Sequence, residues 1–329
     1  AFYLLGPPRI ELDGATVKLD RRKGLALVAY LALAGEGQSR DFLVSLLWPE
    51  SDDSRGRAAL RRTLHALKSA LGDDWLVADR EQIGLDPTAG PWVDVCQFHQ
   101  HLASCESHGH PTSEVCPACV TPLADAVALV RGDFLSGFSL RDSVNFDDWQ
   151  LFQAERLRRE LADALERLVR WHSVQSEFEP AMDYARRMLA LDPLDESAHC
   201  QLMRLYAWSG HRSAALRQYR ECVENLSDQL GVSPQAETTD LYRDIQEGRT
   251  PPVPERWEKG PRIPPERPAG FPAETPSFLR EEVPVERPLF VARESELAQL
   301  DEHLDAALSG QGQVVFDTGD AGCGKTALI

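Results

Sequence analysis

The segment from Ser54 to Leu71, SRGRAALRRTLHALKSAL, restricts the structure of this chain more than any other part of its sequence. At about 100° per residue, Leu60, Leu64, Leu67 and Leu71 fall on one stripe of a helix. The segment holds no acid, and its polar groups lie opposite or beside that stripe. The sequence therefore predicts a helix that packs through leucines and exposes these residues: Arg55, Arg61, Arg62, His65, Lys68 and Ser69.

This cationic helix belongs to a chain whose formal net charge is -17. Residues 1–92 hold 12 Lys and Arg against 13 acids, whereas residues 93–248 hold 14 against 25. A nearly neutral domain attracts nucleic acid only if its charges are segregated, as they are on this helix. The alternative interpretation is a solvated helix face that serves solubility.

The segments around the basic helix predict a small sheet and two further helices. Short apolar runs separated by turn residues at 2–5, 10–12 and 17–19 predict antiparallel strands. Helical periodicity predicts one helix from Arg22 to Leu33 and another that begins at Ser39 and ends before Pro49. After Gly72, residues 75–85 predict a two-stranded hairpin with Arg80 near its tip.

A sheet, three helices and a hairpin occur in this order in winged helix-turn-helix modules. Residues Leu19–Glu50, LDRRKGLALVAYLALAGEGQSRDFLVSLLWPE, together with the arginine-rich third helix and the hairpin, resemble the OmpR-type DNA-binding domain of SARP and AfsR-like bacterial transcriptional activators. The resemblance implies that residues 1–92 bind double-stranded DNA.

The predicted contacts to DNA divide by chemistry into two groups. Arg55, Arg62, His65 and Ser69 point away from the leucine stripe and are the candidates for base edges. The candidates for phosphates are Arg40, Arg61, Lys68 and Arg80, and the cations from Arg21 to Lys23 can add electrostatic attraction.

Residues 93–248 predict an all-helical domain. Leu168 and Leu202, like Ala181 and Ala215, are separated by 34 residues, the period of tetratricopeptide (TPR) helix pairs. The sequences GDFLSGF, LDPLDE and LGVSP, within residues 129–245, resemble the bacterial transcriptional activation domain of the same activators. The resemblance implies a TPR-like domain that supports a homodimer and contacts RNA polymerase or a sigma factor.

A Cys/His-rich insertion at residues 96–119 departs from that family pattern. Cys105, His108, Cys116 and Cys119 have spacings that suit tetrahedral zinc, and His110 can replace His108. We therefore expect a structural zinc site in a segment with little apolar content of its own. The alternatives are buried thiols, a redox pair or a fortuitous spacing, while Cys96, Cys200 and Cys222 are interpreted as core.

Repeated prolines at 249–288 predict an extended linker. Residues 289–329 then predict a strand that leads into GDAGCGKT, a P-loop in which Gly319, Gly322, Gly324, Lys325 and Thr326 would bind ATP and Mg²⁺. This segment resembles the opening of a STAND or AAA-type ATPase module. Because only three residues follow Thr326, we expect a truncated P-loop NTPase domain in a fragment that is not an enzyme, with ATP acting as a switch in the full-length parent.

These observations predict a mainly α chain with a small β component. They favour a sequence-specific DNA-binding transcriptional activator. We expect a cytoplasmic location, because the sequence has no signal peptide and no apolar run long enough to cross a bilayer. The alternative is a STAND signalling ATPase whose N-terminal modules bind protein.

Overall fold

The computed structural model describes residues 1–17, 19, 22–72, 75–86, 91–111 and 114–253, all of which lie in the compact unit Ala1–Ile263. The strands are β1 (Phe2–Tyr3), β2 (Arg9–Leu12), β3 (Ala15–Val17), β4 (Gln38–Ser39), β5 (Leu76–Ala78) and β6 (Gln82–Leu85). The helices are α1 (Arg22–Ala34), α2 (Arg40–Leu47), α3 (Asp53–Leu71), α4 (Asp94–Glu106), α5 (Pro117–Leu129), α6 (Val144–Val174), α7 (Phe178–Leu191), α8 (Glu196–Trp208), α9 (Arg212–Leu230) and α10 (Ala236–Gln246). The prediction of a mainly helical chain with small antiparallel sheets is confirmed.

Two small antiparallel sheets frame the first three helices. Strands β1, β2 and β3 form the predicted N-terminal sheet, in which Phe2 pairs with Ile10 and Ile10 with Val17. Strand β3 begins at Ala15, two residues before the predicted start, because the turn at Asp13 and Gly14 leads directly into it. In the second sheet, β6 pairs with β5 as predicted and also with β4, a two-residue strand that the sequence did not indicate. Strand β4 therefore ties the start of α2 to the hairpin.

The bounds of α2 and α3 follow from their capping residues. Ser39 caps α2 by accepting the N–H of Phe42, and Asp52 caps α3 by accepting the N–H of Arg55 at 2.8 Å. Gly72 ends α3 with a φ of 87°, a conformation that side chains disfavour. Both helix starts and the end at Gly72 agree with the sequence prediction.

The leucine face of α3 packs into the core as predicted. Leu60, Leu64, Leu67 and Leu71 are all buried. On the same helix Gly56 is buried against α2, and a Cβ at this position would overlap the Cγ1 methyl of Val44. The absence of a side chain at Gly56 thus sets how closely α2 and α3 approach each other.

Helices α4 to α10 form the predicted helical region. The four residues that define the 34-residue spacing are buried. The exposed fraction is 1% for Leu202 and 0% for the other three, Leu168, Ala181 and Ala215. Ala181 and Ala215 each occupy the fourth position of their helices, α7 and α9. These positions agree with the spacing, and the TPR-like class stays a prediction.

The hydrophobic core continues across the predicted domain boundary between residues 92 and 93. One cluster of buried residues extends from Phe2 in β1 to Leu205 in α8. Polar contacts strengthen the junction: Lys23 Nζ lies 2.7 Å from Asp142 Oδ2, and Asn145 Nδ2 donates to the carbonyl of Ser45 at 3.0 Å. The α1–α3 region and the long helix α6 are therefore packed as one body.

Asp94, the first residue of α4, is a buried carboxylate in this junction with 1% exposure. Its oxygens accept the backbone N–H groups of Leu4 and Leu5 at 2.8–2.9 Å, and Arg131 Nη2 lies 3.1 Å away. The acid thereby connects the N-terminal sheet to the helical region.

Among the described residues, no helix has the length and apolar character needed to cross a membrane. Of the predicted linker, residues 249–253 are described, and the indole of Trp208 donates to the carbonyl of Pro251 at 2.8 Å. The rest of that linker and the predicted P-loop segment at 289–329 lie outside the described residues.

Candidate nucleic-acid interface and metal-ligand cluster

The face of α3 opposite its leucines is exposed and polar. Lys68 is half-buried, and the other predicted DNA contacts on this helix are exposed: Arg55, Arg61, Arg62, His65 and Ser69. The prediction of a helix that packs through leucines and exposes cations is thus confirmed, and its contact with DNA stays a prediction.

Intramolecular acids bind the arginines at the start of α3 but not those at its centre. Arg57 forms two hydrogen bonds to the carboxylate of Asp41, at 2.9 and 3.0 Å, and Arg55 lies 3.2 Å from Asp52. Within the part of the chain that the structure describes, no acid forms an ion pair with Arg61 or Arg62. The central arginines are therefore available to an external anion.

The hairpin presents Arg80 at its turn. Asp79 Oδ1 accepts the backbone N–H groups of Glu81 and Gln82, both at 2.7 Å, and these bonds lower the pKa of the Asp79 carboxyl. Arg80 is exposed beside this fixed turn. The hairpin tip thus carries a cation on a well-defined turn.

Arg40, a predicted phosphate contact, has a structural task in this fold. Its Nε and Nη2 both donate to the carbonyl oxygen of Asp79, at 2.9 and 2.7 Å, because β4 brings the start of α2 next to the hairpin. These hydrogen bonds give Arg40 a structural role, and its contact with a phosphate stays a prediction. The guanidinium holds the hairpin turn against α2.

Arg62 also lines an open cleft of about 860 Å³ between α3 and residues 137–142. Exposed Arg141 lines the same cleft, and sequence reasoning missed it because a single cation in a loop has no periodic signal. Arg22 and Lys23 hold this loop: Arg22 Nη2 donates to the carbonyl of Ser139 at 2.8 Å and Lys23 pairs with Asp142. Their attraction for DNA stays a prediction.

A second candidate site lies between α4 and α5. One nitrogen each of His108 and His110 and the sulfurs of Cys116 and Cys119 all lie within 4.8 Å of one another. His108 Nδ1 is 3.0 Å from Cys119 Sγ and 3.4 Å from Cys116 Sγ, His110 Nε2 is 3.2 Å from Cys119 Sγ, and the two sulfurs are 3.6 Å apart. We call these four residues the Cys/His cluster.

The cluster contains three of the four predicted zinc ligands and replaces the fourth. Cys105 lies in the last turn of α4 with 1% exposure, and its thiol donates to the carbonyl of His101 at 3.6 Å. His110, weighed from sequence as a substitute for His108, occurs together with it. The candidate ligand set is therefore corrected by exchanging Cys105 for His110.

The structure also corrects the interpretation of the insertion itself. Residues 96–106 of this segment belong to α4 and residues 117–119 to α5, and Phe98, Cys105 and Cys119 lie in the core, so the segment has more buried apolar content than expected. Cys96 is exposed and not in the core, because it lies about 200° around the helix from Phe98. Cys200 and Cys222 are buried as predicted.

The two thiols of the cluster have different proton affinities. Burial raises the pKa of the Cys119 thiol to about 12. Burial also acts to raise the pKa of Cys116, but hydrogen bonds with Cys119 and His110 outweigh it and lower that pKa. Cys116 is thus the thiol that ionises first.

Comparison with known proteins shows what this architecture is similar to. Residues 93–246 match the family model of the bacterial transcriptional activator domain. The regulatory protein AfsR of Streptomyces coelicolor is 27% identical over 250 residues, which are 74% of this chain and 24% of AfsR. The transcriptional regulatory protein MoaR1 of Mycobacterium tuberculosis is 26% identical over 252 residues, 74% of this chain and 78% of MoaR1.

A solved structure shares the fold. Mycobacterium tuberculosis EmbR, in complex with a low affinity phosphopeptide, superposes with a TM-score of 0.56 and 22% identity, covering 77% of this chain and 66% of EmbR. At this identity the likeness concerns the fold alone.

The family model and the relatives together define a class, the bacterial transcriptional regulators that carry this activator domain. The domain match at residues 93–246 and the similarity to AfsR and MoaR1 support a bacterial transcriptional activator of the SARP type. It spans about a quarter of the length of AfsR.

Proposed function

We propose that this chain is a sequence-specific transcriptional activator in which α1–α3 and the β5–β6 hairpin form an OmpR-type winged helix-turn-helix that binds double-stranded DNA. The observation that carries the proposal is the exposed centre of α3. There Arg61 and Arg62 have no ion-pair partner among the described acids of a chain with a net charge of -17. Exposed arginines that no acid of their own domain neutralises are suited to binding a polyanion.

The proposed contacts follow from position on the helix. An α-helix fits the major groove, which is about 12 Å wide, and its outermost side chains meet base edges there. We assign this role to Arg62, His65 and Ser69, and to Arg55, whose exposed ion pair with Asp52 contributes little and can open.

Phosphate contacts need only a reachable cation. Arg61 and Lys68 flank the base-reading residues on α3, and Arg80 extends from the hairpin turn. Arg141 adds a cation from the helical region, because it lines the same cleft as Arg62. Arg40 acts indirectly by holding the hairpin turn.

We assign to the helical region the contact with RNA polymerase or a sigma factor, and the support of a homodimer, that are implied for this family. An exposed apolar group on α6 supports a protein contact: Val144, Leu151 and Phe152 are 70%, 65% and 68% exposed. Leu151 and Phe152 are adjacent and form the apolar surface of α6, while Val144 lies on the same side of the helix beyond the exposed Asp148.

A nucleotide switch is a separate proposal that rests on sequence alone. GDAGCGKT has the pattern of a phosphate-binding loop, with Lys325 for the β- and γ-phosphates and Thr326 for Mg²⁺. The expected behaviour is ATP binding by a parent protein that contains the complete module. Loss of that binding in a Lys325→Ala parent, with DNA binding by α3 retained, would separate the switch from DNA recognition.

The test of DNA recognition is selection from randomised duplexes by the full chain, followed by affinity measurements on the selected sequence. Changing Arg62→Ala together with His65→Ala is expected to abolish sequence preference while leaving weak, salt-sensitive binding. The matched control is Arg57→Gln, which removes an exposed arginine of the same helix whose guanidinium is already bound to Asp41.

The two function classes give different outcomes. A selected motif that is lost in the double variant and kept in the control supports the activator. If no motif is selected, or if both variants lose binding equally, the proposal fails and a STAND signalling ATPase with protein-binding N-terminal modules is favoured.

A further inference from the structure

We propose that His108, His110, Cys116 and Cys119 bind one structural Zn²⁺ ion that joins the end of α4 to the start of α5. None of these residues takes part in the proposed contacts with DNA, nucleotide or the transcription machinery. The site is therefore independent of the proposed function.

Four of the six ligand-to-ligand distances in the Cys/His cluster lie within about 0.5 Å of the edges of a zinc tetrahedron, and all six are within 4.8 Å. With Zn–S of about 2.3 Å and Zn–N of about 2.0 Å, tetrahedral angles place two sulfurs about 3.8 Å apart and a sulfur and a nitrogen about 3.5 Å apart. The cluster has a sulfur pair at 3.6 Å and three sulfur–nitrogen pairs at 3.0, 3.2 and 3.4 Å. Small outward shifts of the imidazoles would complete the coordination geometry.

The hydrogen bonding of His110 prepares its Nε2 as a ligand. His110 Nδ1 lies 3.0 Å from the carbonyl oxygen of Pro111, which can only accept, so this nitrogen carries the proton. In the neutral ring Nε2 is then unprotonated and faces Cys119 Sγ. Zinc-binding histidines usually have this second hydrogen bond, which fixes the ring orientation.

The backbone holds the two thiols at the start of α5. Cys116 is the N-cap residue and Cys119 belongs to the first turn, and the backbone N–H of Cys119 donates to the carbonyl of Cys116 at 2.9 Å. The positive end of a helix dipole favours thiolates at such positions. The histidines follow the end of α4, so the proposed ion would connect two helices through four side chains.

The donor set favours structural zinc over other roles of these residues. Two sulfurs and two nitrogens in tetrahedral reach suit Zn²⁺, and four protein ligands leave no open position for catalysis. A disulfide has sulfurs about 2.05 Å apart, whereas those of Cys116 and Cys119 are 3.6 Å apart. A thiol pair alone would also leave the convergence of both imidazoles unexplained.

The surrounding core limits what zinc would stabilise. Helices α4 and α5 already pack through Phe98, Cys105 and Leu123, all with at most 1% exposure. The connection between the helices, from Ser107 to Val115, contributes no buried side chain among its described residues. Removing the ion should therefore loosen this connection without unfolding the helical region.

The first experiment is metal analysis of the full chain, purified under reducing conditions from zinc-containing medium. We expect one equivalent of zinc, and visible ligand-field and thiolate charge-transfer bands after exchange with Co²⁺. Cys116→Ala and His110→Asn should each lower the zinc content at least tenfold. Cys105→Ala and His101→Asn, in the same segment but outside the cluster, should retain one equivalent.

The second experiment measures limited proteolysis before and after chelation. Removal of zinc should accelerate cleavage within residues 107–116 at least tenfold while circular dichroism retains the helical signal. Less than half an equivalent of zinc in the unmodified chain overturns the proposal. So does loss of the ion in Cys105→Ala when that variant has an unchanged helical signal, or a disulfide between Cys116 and Cys119 found by mass spectrometry in reduced preparations.

Discussion

The two carboxylate oxygens of Asp94 accept the same backbone N–H group, that of Leu4, at 2.8 and 2.9 Å. A bond between residues ninety positions apart places the N-terminal strand against the first turn of α4. Leu5 and Arg131 donate to the same acid. One buried side chain therefore satisfies donors from two separate segments, the N-terminal residues Leu4 and Leu5 and the loop residue Arg131, as a buried charge requires.

Replacing Asp94 should destabilise the whole unit. Asp94→Ala would leave the N–H groups of Leu4 and Leu5 buried without acceptors, and we expect a loss of about 3 kcal/mol or more in the free energy of unfolding. Urea denaturation monitored by circular dichroism would measure it. Asp133→Ala, which removes an exposed acid paired with Arg158, should cost less than about 1 kcal/mol. Equal losses of stability in the two variants would contradict the role of Asp94 as a stabilising buried acceptor.

A methyl group at Gly56 should push α3 away from α2. The new Cβ would overlap the Cγ1 methyl of Val44, and such overpacking costs about 1–3 kcal/mol, more than the roughly 1 kcal/mol gained in helix propensity. Thermal denaturation of Gly56→Ala should show lower stability.

The companion change Val44→Ala removes the clashing methyl groups. In the Gly56→Ala background it should cost less than it does alone, which a double-mutant cycle would detect. Gly24→Ala is the matched control, because its Cβ would lie at an ordinary 3.4 Å from Leu67 Cδ2. Strictly additive effects of the Gly56 and Val44 changes would exclude the clash.

The start of α3 should depend on pH through Asp52. The backbone hydrogen bond from Arg55 lowers the pKa of this N-cap carboxyl from its ordinary value of 3.8. A lowered folded-state pKa means that the stabilisation is fully present above 3.8 and is lost as the pH falls through the folded-state value.

NMR titration of the Arg55 amide would therefore show a midpoint below 3.8. Asp52→Asn, which still caps a helix but does not titrate, should remove the transition while leaving α3 intact. A midpoint at or above 3.8 would show that the hydrogen bond does not favour the ionised cap.

Arg80 should contribute to DNA affinity without contributing to sequence choice. If it contacts one phosphate, Arg80→Ala should weaken binding to specific and random duplexes alike and reduce the slope of log K against log salt by about one. Fluorescence anisotropy over a range of salt concentrations would measure this slope. A change in the selected motif would instead place Arg80 on a base edge.

The apolar surface of α6 should matter for activation and not for DNA binding. Leu151→Ser together with Phe152→Ser removes two exposed side chains, so folding and duplex affinity are expected to stay unchanged while activated transcription in vitro falls at least fivefold. Leu12→Ser, which removes an exposed leucine from β2, is the control. Unaltered transcription by the double variant would remove this surface from the proposed contact.

The predictable parts of the fold are those that leave a periodic or local signal. Leucines at helical spacing gave the buried face of α3, and Ser39 and Gly72 marked helix ends through backbone chemistry that operates within a few residues. Strand β4 was missed because two residues carry no pattern, and its pairing with β6 depends on residues more than forty positions away.

The ligand cluster shows why spacing alone was insufficient. Cys105 and His108 have the spacing of a ligand pair, but α4 continues through Cys105 and turns its thiol into the core. Asp94 was also missed, although an acid between Val93 and Val95 in an apolar run is a signal for a buried carboxylate with partners. Which donors it meets depends on tertiary structure that the local sequence does not contain.

The junction formed by Lys23 with Asp142 and by Asn145 with Ser45 has a mechanical consequence. A pivot between the two regions would need a gap in the packing, and here a continuous core fills that position. A rotation of α6 would therefore be expected to rotate α3 with it as part of one rigid body. Under the proposed function, a signal that moves the helical region would reorient the DNA-reading helix α3 directly. It could also change how two copies of the chain align along DNA. Neither effect requires the two regions to separate first.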